Sequence, residues 1–212
     1  QYGWEDGNQW TPAECDVSIR PGWFYHESED GKVKSVDDLC DLYYRSVGHN
    51  ATMLLNFPVD KNGLIHPVDS ANAVNFHKKI QQELAVDLLK DVTPKVDSQQ
   101  GKNGGKNITD GNYDTFWASK KVKGASIEFQ LGKAKQISRL MLQEYIPLGQ
   151  RVKAFSVYYL QGKEWVKLDP NEETTTIGYK RILRFDEITT NGIRVVFDDA
   201  KGCPVINSVS AY

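Results

Sequence analysis

A chain of 212 residues has room for two domains at most, and 40% hydrophobic against 25% charged residues is the composition of a globular protein with a core. Lys and Arg number 26 against 28 Asp and Glu, a formal charge of -2, which gives no reason to expect nucleic acid or an anionic membrane as partner. No apolar run approaches the roughly 18 residues of a membrane span, and Cys15, Cys40 and Cys203 lack the spacing of a zinc site or a disulfide framework, so they read as plain thiols.

Residues 1 to about 90 alternate strand-like and helix-like patterns. The stretch CDVSIRPGWF reads as a strand ended by Pro21-Gly22. Ser35 and Asp38 form a capping-box pattern that opens a helix, with Val36, Leu39, Cys40, Tyr43 and Val47 at helical spacing and Gly48 as its stop. ATMLLNF, residues 51–57, is the short apolar run of a strand covered on both faces. A second helix is expected from about Ser70 to Leu89, with Val74, His77, Ile80, Leu84 and Leu88 on one face. The order β, α, β, α is the unit of a parallel sheet or barrel. Two strands cannot close a barrel of about 250 residues, so this half reads as the tail of a larger domain.

Pro94 and the Gly, Asn, Ser and Gln cluster after it mark a junction, which divides the chain into residues 1–92 and 93–212. Beyond it come ASIEFQL, ISRLMLQEY, VKAFSVYYL, EWVKL, YKRILRF and GIRVVFD, short strands separated by turn residues. Period-2 alternation at Ile127, Phe129, Leu131 and at Ile193, Val195, Phe197 predicts a jelly-roll β-sandwich. The whole is expected to be α+β.

Two stretches carry chemistry. In WTPAECDVSIRPGWFYH, residues 10–26, Glu14 stands among aromatics, as either a general acid in a ring-lined cleft or a solvated loop carboxylate. Asp16 and Arg20 could orient it, bind hydroxyls or form a structural ion pair. Trp10, Trp23 and His26 could line a pocket or pack; His66 is open in the same way, and His49 and His77 read as structural. In NITDGNYDTFWAS, residues 107–119, Asp, Asn and Thr oxygens could wrap a hard cation or simply form a turn.

The first stretch, with LLN-x-P-x-D-x-x-G-x-I-H after the second strand, resembles the acid/base segment and last βα units of glycoside hydrolase family 29, the α-L-fucosidases, over residues 8–90. The resemblance implies a retaining hydrolase of terminal α-L-fucose, with Glu14 as acid/base and Trp10, Arg20, Trp23 and His26 as candidate substrate contacts. It also implies an Asp nucleophile some 40 residues upstream, outside this chain, so that the chain alone would be inactive.

D-G-N-x-D-T-F-W at Asp110 to Trp117 and the finish PVINSVSAY resemble the coagulation factor V/VIII type C, galactose-binding-like, domain. That resemblance implies a structural Ca²⁺ held by Asp110, Thr115 and the carbonyls of Asn107, Asn112 and Asn207, with Ser208 where a glutamate ligand is expected, and Trp117 in the core. Tyr113, Tyr145 and Arg151 are candidate sugar contacts. No cofactor is expected for catalysis. The implied partners are a fucosylated glycan, the rest of the catalytic barrel and, through open strand edges, another copy of the chain. The implied location is secreted or periplasmic. The alternative is a non-catalytic carbohydrate-binding or structural module.

Overall fold

A computed structural model describes residue 4 and residues 6–212. Residues 12–85 form one compact unit; the second comprises Val86–Tyr212 together with the stretch before Pro12.

The first unit runs β1 (Ala13–Ser18), α1 (Val36–Ser46), β2 (Ala51–Asn56), α2 (Pro67–Glu83). β1 and β2 pair in parallel, in register from Ala13 opposite Ala51 to Ser18 opposite Asn56. Side chains alternate across a strand. Glu14, Thr52, Asp16 and Leu54 therefore share one face, and all four are exposed. Cys15, Met53, Val17 and Leu55 share the other and are half-buried. Strand β1 is shorter than CDVSIRPGWF suggested, because after Ser18 the chain turns, with the Ser18 hydroxyl donating to the Gly22 carbonyl at 2.7 Å.

Helix α1 begins where the capping box places it. Ser35 Oγ accepts from Asp38 N, and Asp38 Oδ2 accepts from Ser35 N at 3.0 Å. It ends at Gly48, whose N–H donates to the Tyr43 carbonyl and where a Cβ would stand 2.3 Å from the Tyr44 carbonyl oxygen.

Helix α2 departs from expectation at both ends. It starts at Pro67, whose missing N–H costs nothing in a first turn, behind the His66 cap. It stops at Glu83, so Leu88 and Leu89 are not helical: Leu88 N donates to Ala211 O, and Leu89 is fully buried in the core of the second unit. The second compact unit thus resumes at Val86. The face that α2 covers is also different. Val74 and His77 are exposed, while Asp69, Asn72, Ala73, Phe76, Ile80 and Glu83 are shielded. Tyr43 of α1 meets Phe76 edge-on, and the buried Tyr44 donates its hydroxyl to Glu83.

The second unit is an antiparallel sandwich of β3 (Lys95–Val96), β4 (Trp117–Ala118), β5 (Ala125–Glu144), β6 (Val152–Gln161), β7 (Glu164–Lys167), β8 (Arg181–Ala200) and β9 (Val205–Ala211). Its strand order is β4-β9-β5-β8-β6-β7, with β3 on β5. ASIEFQL and ISRLMLQEY, expected as two strands, are the halves of β5, and YKRILRF and GIRVVFD are the halves of β8. The two long strands stay paired through register shifts between Gln130 and Lys135 and between Ile137 and Arg139. Such bulges let long strands bend without a turn. Trp117, Phe129, Phe155 and Phe197 anchor the core, and Trp117 Nε1 donates to Ser98 O at 2.8 Å. At the end of β5 the buried Glu144 carboxyl accepts from the backbone N–H groups of Arg151, Val152 and Gly178 at 2.7–2.9 Å.

Candidate functional site

In a parallel βα unit the loops that follow the strands gather at their C-terminal ends, where such folds carry their sites. Glu14 lies on the exposed face of β1 near its N-terminal end, and its side chain makes no hydrogen bond among the described residues. Asp16 is exposed two residues further on. Behind them the loop after β1 is held by a connected set of polar groups. Asn56, the last residue of β2, donates Nδ2 both to Ser18 Oγ and to the Trp23 carbonyl at 3.1 Å. Trp23 is fixed through its backbone while its ring is 50% exposed.

Arg20 is fully buried. Its Nε and Nη2 form a fork on Asp69 at 2.7 and 2.9 Å, and its Nη1 reaches Asp30 at 2.8 Å and the His26 carbonyl. Tyr25 lies flat against it, with the guanidinium carbon 4.6 Å from the ring centre. The hydrogen bond to Asp69, reinforced by Asp30, drives the Arg20 pKa above its ordinary value. The Arg20 guanidinium in turn holds the Asp30 carboxyl below the usual range. These partners occupy both edges of the guanidinium, so Arg20 ties the loop to the start of α2. His66 Nε2 stands 3.5 Å from Asp30. His26 is exposed and enters the network only through its carbonyl; His77 is exposed.

Asp30, Asp69 and Asn56 are the members of this site that sequence reasoning missed. Asp69 had a signal: an acid in the first turn of a helix with an arginine left to pair. Trp10 belongs to the other unit, where its indole N–H donates to Gln150 at 3.2 Å and its ring lies 6.4 Å from that of Tyr179.

In the sandwich, Asp110 Oδ1 accepts from Asn112 N, and Oδ2 from the Thr115 hydroxyl at 2.7 Å. Asn107 Nδ2 donates to the Phe116 carbonyl. The side chain that reaches this loop from β9 is that of Asn207, whose Nδ2 donates to the carbonyls of Tyr113 and Thr115 at 3.0 and 2.7 Å. Ser208 pairs with Gln143 and makes none of these bonds. A buried N–H donor, the Asn207 amide, faces the carbonyls of Tyr113 and Thr115, and it is this donor that does not fit a cation at the loop. Of the candidate sugar contacts, Arg151 is spent on the carbonyls of Leu148 and Cys203, and Tyr145 stacks on Phe116 at 4.5 Å. Tyr113 is half exposed beside Tyr179, ring centres 6.3 Å apart. Among the described residues no three His, Cys, Asp or Glu side chains gather as a metal site, and no helix is long and apolar enough to cross a membrane.

Residues 93–209 match the F5/8 type C domain, and the chain belongs to that family. Its relatives over the whole length are α-L-fucosidases. The chain is 32% identical over 214 residues to alpha-L-fucosidase 1 of Arabidopsis thaliana, covering 97% of this chain and 41% of that protein. A GH29 fucosidase of Ruminococcus gnavus, solved in complex with fucose, superposes with a TM-score of 0.89 at 33% identity over 99% of this chain and 43% of its own. A glycoside hydrolase 29 family member from an unknown rumen bacterium gives 0.82 at 33% identity, over 100% of this chain and 34% of its own. The chain thus spans about 40% of the length of the curated relatives it matches.

Proposed function

We propose that this chain is the C-terminal portion of a retaining α-L-fucosidase: two βα units of its catalytic (β/α) barrel and an appended F5/8 type C sandwich. Glu14 is the acid/base, protonating the departing glycosidic oxygen and then activating water. Trp23, pinned by Asn56, offers a ring to the sugar, while Arg20 acts by holding that loop. The observation that carries the reading is the alignment of the chain with fucosidases along nearly all of its length, in which Glu14 stands exposed near the N-terminal end of β1.

Retention needs a second carboxyl on the opposite face of the sugar, roughly 5 Å from the first. Asp16 cannot serve, because residues two apart on a strand project to the same side of the sheet. The resemblance to family 29 implies that the nucleophile lies upstream, in the rest of the parent barrel, and on that reading the chain alone does not turn over. The parent acts on fucosylated glycans, in a secreted or periplasmic location. In isolation the free edges of β1 and β2 invite pairing with a second copy.

Hydrolysis of an aryl α-L-fucoside, measured on this chain and on one extended upstream, tests this. The extended chain is expected to be active and to lose roughly 10²–10⁴-fold on Glu14→Gln. Turnover by the short chain, abolished by Glu14→Gln, would overturn the assignment of the nucleophile. The second reading, a carbohydrate-binding module, is favoured by the half-exposed Tyr113 and Tyr179 beside Trp10. Retention of the short chain on a fucosylated or galactosylated matrix, lost on Tyr179→Ala, would support it.

A further inference from the structure

In the loop of residues 107–116, oxygens of the kind a hard cation takes are met by donors of the chain itself. We propose that the Asn207 carboxamide does the work of a bound calcium ion in this chain, fastening the loop to β9, so that the sandwich is folded and stable without the ion. The inference is independent of the fucosidase reading.

Two carbonyls, Tyr113 and Thr115, converge on Asn207 Nδ2 at 3.0 and 2.7 Å, and a carboxamide nitrogen has two N–H groups, one for each. Asn207 is 6% exposed, so those N–H groups have no access to bulk water. Turned over, the amide would set Oδ1 against the two carbonyl oxygens, three acceptors that only a cation between them could reconcile, so the orientation of this amide and the need for the ion stand or fall together. A second amide, Asn107 Nδ2, takes the Phe116 carbonyl at 2.9 Å. The one carboxylate that bonds within the loop, Asp110, is answered by the Asn112 N–H at 2.8 Å and the Thr115 hydroxyl at 2.7 Å. Calcium affinity rises with the number of charged ligands, and with Ser208 at the position expected for a glutamate, β9 offers the loop the neutral Asn207 amide and no carboxylate.

The test is thermal unfolding of the 212-residue chain and of Asn207→Asp, each in excess EDTA and in millimolar calcium. For the wild type the melting temperature is expected to be the same in both solutions, and a rise of several degrees in calcium would overturn the proposal. Asn207→Asp replaces the donor with an acceptor facing two carbonyls. It is expected to melt below the wild type in EDTA and to gain roughly 5–10 °C when calcium stands at about a hundred times its dissociation constant. A folded Asn207→Asp chain indifferent to calcium would equally overturn it. Should that variant fail to fold in either solution, the wild-type pair decides alone.

Discussion

Arg20→Met removes the positive charge from a site that water does not reach. Arg20 and Asp69 both have side chains with 0% exposure, and the fork between them closes at 2.7 and 2.9 Å. Each charge-assisted bond of this kind contributes about 1.5–3 kcal/mol. At an effective dielectric near 20, two charges about 3 Å apart attract by roughly 5 kcal/mol. The variant keeps Asp69 buried at the N-terminal turn of α2 without the guanidinium that answered its charge. Stranding one partner of a buried pair costs about 3–5 kcal/mol. The assay is urea unfolding followed by the far-ultraviolet signal of α1 and α2, which both lie in residues 12–85. A loss below about 1 kcal/mol, the worth of an exposed pair, would refute the reasoning. So would a double variant, Arg20→Met with Asp69→Asn, that is no more stable than Arg20→Met, since removing the stranded charge should recover at least half of the loss.

Burial pushes the Glu144 carboxyl up to about 7 from 4.5, against the pull of its three N–H donors. Over that window the native state holds a proton that the unfolded chain has released, so sandwich stability falls as pH rises, by at most about 3 kcal/mol. Denaturation midpoints across the window should show the slope in the wild type and lose it in Glu144→Gln. Gly48→Ala forces a Cβ to within 2.3 Å of the Tyr44 carbonyl, and the main-chain shift should cost about 1–3 kcal/mol in the same urea assay. Ser35→Ala removes the α1 cap and should cost about 1 kcal/mol by that signal.

What the sequence made legible was local. The capping box of α1 involves residues three apart, and the alternation of Ile193, Val195 and Phe197 involves residues two apart; both were readable because short-range geometry determines them. The end of α2 was not, because Leu84 and Leu88 continue a helical period that only the packing of Leu88 and Leu89 under the sandwich interrupts. Two pairs of strands merged for a related reason, since a bulge and a turn carry the same polar residues.

The site divides along the same line. The proposal for Glu14 rests on a motif contiguous in sequence, whereas Asp30 and Asp69 lie 10 and 49 positions from Arg20 and are joined to it only by the fold. Arg20 shows why residue type alone misassigns such positions. An arginine beside an acid and aromatic rings has the composition of a sugar contact, but four of its five N–H groups already have acceptors within the chain. With one donor left and no exposed surface, it can affect a bound sugar only through the backbone it anchors, from Gly22 to His26. Its substitution should therefore alter the loop that carries Trp23 before it alters any contact of its own.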